Sequence, residues 1–317
     1  MCYCGKSVMF LSVVNQANAG KHSMYEQYFG LKEKPFSLLP DPSFLYMSKT
    51  HNMALTMLDY SLHNESAGLC VISGEIGSGK TTLTRKLLNS MGADFITGLL
   101  TNTHSNFGNL LQWVSMSFEL PYKDLSQIEL YENFVNFTIE QYAQGKRTVL
   151  IIDEAQNLSL EALEELRMLS NINADKNHVI QLILVGQPEL RDTFNIPELT
   201  QLNQRVTASY HLGELSQQDS CAYIMHRLEV AGGNPDLITD MARKAIWYHS
   251  RGIPRVINTL CDTALVYAYA AKQDQVNIQL VNEVIKDRKE NGFYIPKEGE
   301  DENISHFDEK LDKVFKI

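Results

Sequence analysis

Eight consecutive residues, Gly74, Glu75, Ile76, Gly77, Ser78, Gly79, Lys80 and Thr81, carry the spacing of a phosphate-binding loop, and Thr82 extends the candidate set by one. The glycines let successive backbone N–H groups turn inward and cradle phosphate oxygens. Lys80 would reach the β- and γ-phosphates of a nucleoside triphosphate, and the Thr81 hydroxyl would ligate Mg²⁺. Residues 149–154 read Val-Leu-Ile-Ile-Asp-Glu, an apolar strand ending in two carboxylates. Asp153 is placed for the magnesium shell and Glu154 to polarise a water. Each half supplies what the other lacks, so the expected chemistry is hydrolysis of ATP with Mg²⁺ as cofactor.

Hydrolysis also requires charge to be stabilised on the γ-phosphoryl oxygens, which arginines do at short range. Arg255, in Gly252-Ile-Pro-Arg255, opens a helix from which it would fold down onto that phosphate. Arg205, in Leu202-Asn-Gln-Arg205, lies by chain order on the far side of the sheet from the loop. It is expected to serve a neighbouring subunit's nucleotide. Gln187 follows a strand directly and would orient water between Glu154 and the phosphate. Phe36, Phe44 and Tyr46 form an aromatic cluster that would flank an adenine ring. Asp124, Glu129 and Glu132 read as a solvated acidic face.

These residues need a scaffold, and the hydrophobic pattern supplies one. Residues 69–73 form a short apolar run that enters the loop as a strand, and the loop opens a helix over 81–90 whose N-terminal dipole favours phosphate. Further strands are expected at 94–100, 147–153, 178–185 and 205–212, with helices at 49–63, 107–120, 128–144 and 158–170. On the last of these, Leu160, Leu163, Leu166 and Leu169 make one stripe. Strands alternating with helices imply a parallel sheet covered on both faces. From Leu215 the pattern turns to helix only: a capped start at Ser216 with a stop at Gly232-Gly233, then 237–250, 254–272 and 277–289.

Composition sets the outer limits. The 317 residues, 44% hydrophobic and 21% charged, describe a globular chain with an ample core. A net charge of −10 argues against a generally basic nucleic-acid surface. Five scattered cysteines (Cys2, Cys4, Cys70, Cys221, Cys261) read as reduced thiols without metal-ligand spacing. Residues 1–23 imitate a short secretory signal, with Lys6, an apolar run from Val8 to Val14, and Ala17-Asn18-Ala19. Asn15-Gln16 interrupt that run, and the expectation is a leader that is disordered or untranslated before Met24. No run of about 18 apolar residues would make a transmembrane helix. The tail 291–317 is polar, charged and expected to be mobile.

The opening Met24-Tyr-Glu-Gln-Tyr-Phe-Gly-Leu-Lys-Glu-Lys-Pro-Phe-Ser-Leu-Leu-Pro-Asp-Pro42, ahead of the 74–81 loop, resembles the general secretion pathway protein A (ExeA-like) ATPases. Asp153-Glu-Ala-Gln156, Gly186-Gln-Pro-Glu-Leu190, Leu202-Asn-Gln-Arg205 and Gly252-Ile-Pro-Arg255 continue the resemblance, which runs to about Lys289. It implies an AAA+ P-loop NTPase, a three-layer αβα parallel sheet (24–213) followed by an all-helical lid (214–290), assembling as a ring or filament with nucleotide between subunits. Lys80 and Thr81 would then be Walker A, Asp153 and Glu154 Walker B, Gln187 sensor 1, Arg205 the arginine finger and Arg255 sensor 2. The membrane span and peptidoglycan-binding module that follow the ATPase in that family have no counterpart in these 317 residues. The resemblance implies a cytoplasmic ATPase, peripheral at the inner membrane through its partners, that energises or regulates an envelope secretion, pilus or polysaccharide-export apparatus. The alternative is a DNA-bound regulator of transposition similar to TniB and MuB, which the acidic balance disfavours.

Overall fold

A computed structural model describes residues 24–63, 68–101, 109–174 and 177–292. The leader read at 1–23, the tail from 293 and the first residues of the 107–120 helix lie outside the described residues. Five strands, β1 (Leu69–Gly74), β2 (Phe95–Leu100), β3 (Arg147–Ile152), β4 (Ile180–Gly186) and β5 (Val206–Leu212), form one sheet. The order is β2-β3-β4-β1-β5 and every pairing is parallel. This order makes the C-terminal ends of β3, β4 and β1 neighbours. Those are the ends that carry Asp153-Glu154, Gln187 and the phosphate loop, and a crevice outside strand C-termini is where open α/β sheets bind ligands.

Because side chains alternate along a strand, the apolar runs of β1, β3 and β4 bury one set on each face. Cys70, Ile72, Val149, Ile151, Ile183 and Val185 pack with Ala54, Leu58 and Leu62 of α2 (Lys49–His63) and with Leu83 and Leu87 of α3 (Lys80–Ser90). Leu69, Val71, Leu150, Ile152, Leu182 and Leu184 pack on the other face. There they meet α4 (Leu110–Ser117), α5 (Gln127–Ala143), α6 (Leu160–Leu169), α7 (Glu189–Phe194) and α8 (Thr200–Asn203). The three-layer αβα fold expected from the alternating pattern is present. On α6, Leu163, Leu166 and Leu169 are fully buried, but Leu160 is exposed. Glu129 is exposed as its acidic stretch implied, and it also caps α5: its carboxylate accepts from the Ser126 N–H at 2.8 Å while Ser126 Oγ accepts from the Glu129 N–H.

Beyond the sheet come α9 (Gln217–Val230), α10 (Asp240–Ser250), α11 (Pro254–Ala270) and α12 (Ile278–Glu290). The helix expected at 237–250 starts three residues late because Ile238 is extended and bridges in parallel to Val276. The Thr239 N–H donates to Val276 O, and the Val276 N–H to Leu237 O, which fixes the backbone out of helix there. The four helices share one core with Tyr25 of α1 (Met24–Tyr28) and with Leu31, Phe36 and Phe44. The aromatic N-terminal segment, grouped with the sheet in the sequence reading, thus buries these side chains among the C-terminal helices. Cys70 and Cys261 are buried free thiols and Cys221 is a half-buried one.

His249 on α10 gives this helical cluster a pH dependence. The residue is buried, and burial, helped by the positive charge of Lys289, pushes its imidazole down from 6.5 to about 4. The folded chain therefore keeps the ring neutral over a range in which the unfolded chain takes up a proton. Stability is retained above about pH 6.5 and lost as pH falls towards 4, on the order of 3 kcal/mol across the window. Urea unfolding at stepped pH should show this loss, and His249→Gln should flatten it; an equal slope in both proteins would assign the acid sensitivity elsewhere.

Candidate functional site

The phosphate loop leaves β1 at Gly74 and enters α3 at Lys80. Gly77 and Gly79 hold φ of +82° and +100°, a left-handed backbone that a side chain would strain. Lys80 is buried, and its Nζ donates to the carbonyls of Gly74 at 2.7 Å and Glu75 at 2.9 Å. Burial lowers its pKa, and the nearby carboxylates of Glu154, Asp153 and Glu75 oppose that shift. A cation is therefore held across the mouth of the loop, at the N-terminus of a helix whose free N–H groups favour an anion.

Opposite it, Thr81 Oγ1 donates to Asp153 Oδ2 at 2.9 Å. Asp153 is 4% exposed and its pKa is raised by burial, against the bonds from Thr81 and from the Glu154 N–H. Two hard oxygens at this distance suit Mg²⁺, which takes one or two protein ligands and completes its octahedron with water and phosphate oxygens. Among the described residues no cluster of three or more His, Cys, Asp or Glu side chains could hold a metal by itself. The donor set therefore fits a magnesium–triphosphate complex.

Glu154 adopts φ +55° and ψ 38°, a left-handed conformation that costs a non-glycine residue about 1–3 kcal/mol. Its Oε2 accepts from Gln187 Nε2 at 3.2 Å and from Gln156 Nε2 at 2.7 Å. The Gln187 side chain thus stands beside Glu154, as its place after a strand implied. In the sequence Gln156 stands out only as part of the Asp-Glu-Ala-Gln string, which gives it no role.

Arg255 meets the loop from the helical side. Its backbone N–H donates to Gly77 O at 3.2 Å, and a Cβ on Gly77 would stand 2.4 Å from Arg255 Cβ. The second glycine of the loop is thus required twice, by its φ and by the seating of α11 upon it. Arg255, Lys80, Thr81, Thr82, Glu154 and Gln187 share a cavity of about 340 Å³ with the 37–46 segment, including Phe44 and Tyr46. Phe36, the third member of the aromatic cluster, does not line the cavity and is buried among the C-terminal helices, on which Phe44 and Tyr46 also pack.

Two residues that sequence reasoning missed hold this cavity together. His51 is buried with Nε2 3.2 Å from Ser78 O and Nδ1 2.7 Å from Ser48 Oγ. Burial lowers its pKa, so the neutral ring donates to the loop carbonyl and accepts from the serine. Arg227 is buried with its guanidinium 4.8 Å from the Phe44 ring centroid, donating to Pro35 O at 2.5 Å and Tyr223 Oη at 2.9 Å. It fastens the N-terminal segment to α9. Both contacts span long stretches of chain, so no local spacing announced them.

Arg205 is not in this cavity. It precedes β5, and Leu69 pairs with Val206, so it lies at the N-terminal end of the strands while the loop lies at the C-terminal end. There it lines a separate cavity of about 540 Å³ with Gly68, Arg167, His178, Gln201, Gln204 and Thr207. Burial and the charge of Arg205 lower the pKa of His178.

Residues 63–194 match a family model described as an AAA domain. Over 248 residues the chain is 42% identical to general secretion pathway protein A of Aeromonas hydrophila, a match covering 78% of this chain and 45% of that protein. Residues 63–194 thus carry an AAA domain, in a chain that is similar to general secretion pathway protein A across less than half of that protein's length. Solved structures agree on the fold. The ORC2 protein of Aeropyrum pernix, solved as ADPNP-ADP complexes, superposes with a TM-score of 0.61 at 16% identity over 80% of this chain and 71% of that one. Cdc6p of Pyrobaculum aerophilum gives 0.57 at 18% identity over 78% and 71%. At those identities the likeness of this AAA+ protein to them is one of fold alone. Among its described residues no helix is long and apolar enough to cross a membrane.

Proposed function

We propose that this AAA+ protein hydrolyses ATP with Mg²⁺ in the 340 Å³ cavity, and that adjacent subunits complete one another's sites. The observation that carries the reading is the convergence of Lys80, Thr81, Glu154, Gln187 and Arg255 on that one cavity, with Asp153 bonded to Thr81 at 2.9 Å. Lys80 exchanges its carbonyl partners for β- and γ-phosphate oxygens when ATP binds. Thr81 and Asp153 would hold Mg²⁺, which would supply charge neutralisation on the phosphates. Glu154 draws the proton from a water that attacks the γ-phosphorus, and Gln187 orients that water. The bond from the γ-phosphorus to the bridging oxygen breaks, and ADP and phosphate leave. Arg255 in the same subunit, and Arg205 from a neighbour, stabilise the charge that develops.

The work served is assembly or regulation of a bacterial envelope secretion, pilus or polysaccharide-export apparatus, at the cytoplasmic side of the inner membrane. The 42% identity to general secretion pathway protein A supports this. The net charge of −10 weighs against a DNA-bound role.

Lys80→Ala tests the site itself. Removing charge-assisted contacts to two phosphates should weaken ATP binding by about 10²-fold, close to 3 kcal/mol. Titration with a fluorescent ATP analogue measures it, with circular dichroism to confirm folding. A folded variant with unchanged affinity would place the nucleotide elsewhere.

A further inference from the structure

Gln156 uses both ends of its side-chain amide. Nε2 donates to Glu154 Oε2 at 2.7 Å, and Oε1 accepts from the Gln187 backbone N–H at 2.9 Å. The amide therefore bridges the turn after β3 to the turn after β4, the two strand ends that flank the proposed reaction. Room for the bridge comes from Gly186, where a Cβ would stand 2.9 Å from Gln156 Oε1 and 3.3 Å from its backbone nitrogen. Any side chain at 186 would push the amide out of line.

We propose that Gln156 is a positioning residue for hydrolysis, orienting the Glu154 carboxylate by its grip on Oε2. The inference rests on the reading of Glu154 as the group that activates water. Glu154 sits on a turn with φ +55° rather than within a helix or strand, so its side chain needs an external brace. Gln156 supplies one that is anchored at its far end to backbone. Gln187 Nε2 reaches the same oxygen at a longer 3.2 Å, as a second and weaker brace. A misplacement of about 1 Å in a reacting group costs on the order of 10²-fold in rate.

The alternative is that Gln156 merely anchors the turn at Gln187. Two variants separate these roles. Gln156→Ala removes both bonds, whereas Gln156→Glu keeps an acceptor for the Gln187 N–H and loses the donor to Glu154, placing a second carboxylate beside it. Steady-state ATP turnover at saturating Mg-ATP is measured for both, with Glu154→Gln as the benchmark for a lost base and thermal melting to confirm folding. The expected result is a kcat about 10²-fold lower in both variants, with KM for ATP within about threefold of wild type. Recovery of wild-type kcat in Gln156→Glu would make the role an anchor of the turn and overturn the proposal, as would wild-type kcat in Gln156→Ala. If Glu154→Gln itself keeps turning over, the reading of Glu154 has failed. If it is inactive while the Gln156 variants are normal, only the present inference has failed.

Discussion

Arg205→Ala protein is expected to bind ATP normally and to turn it over about 10³-fold more slowly, the loss typical of a missing arginine finger. Topology keeps Arg205 away from its own subunit's phosphate loop. Gly74 ends β1 and Arg205 precedes β5, and these parallel neighbours pair from Leu69 and Val206 onward, with one register shift between Leu69 and Cys70. Six strand residues at about 3.3 Å each put roughly 20 Å between the two ends, beyond the reach of one arginine side chain. Arg205 therefore acts on a second subunit's nucleotide or on none. Mixing decides between these. Arg205→Ala subunits retain Glu154, and Glu154→Gln subunits retain Arg205, so an equal mixture pairs an intact base with an intact finger at about a quarter of interfaces. Turnover by the mixture should rise to roughly that fraction of wild type. A mixture no more active than its parts would remove Arg205 from the mechanism.

Much of this architecture was legible in the chain because its signals are local. The run 69–73 and the helix after it flank a loop whose glycines and Lys80 lie within eight residues, and residues 149–154 announce a strand that ends in two carboxylates. A parallel sheet then puts the ends of β1, β3 and β4 at one edge, while the order that makes them neighbours is set by the fold. What escaped notice depends on long-range contact. His51 supports Ser78 across 27 residues and Arg227 holds Pro35 across 192, and neither side chain stands out by type or period. The sequence groups Phe36, Phe44 and Tyr46 as one adenine-flanking cluster, yet all three pack on the helical core and only Phe44 and Tyr46 also line the cavity. Aromatic composition cannot separate those fates, because both environments are apolar. Gln156 was visible in the sequence, but its importance lies in the spacing between two strand ends that only the folded chain sets.

Glu154→Gln is the second large effect expected, and it bears on the central assignment. The substitution keeps size and the left-handed turn, and removes only the ability to take a proton from water. Lys80, Thr81 and the loop N–H groups are left in place, so binding should hold within a few-fold. General base catalysis contributes about 10²–10⁴-fold, so turnover should fall by roughly 10³. Inorganic phosphate released from Mg-ATP by Glu154→Gln protein, at a protein and ATP concentration where binding is shown to be saturated, is the decisive measurement for Glu154 as the base. Bound ATP is expected to persist unhydrolysed in the variant while wild-type protein releases phosphate steadily. Phosphate release at the wild-type rate from the ATP-saturated variant would contradict that role.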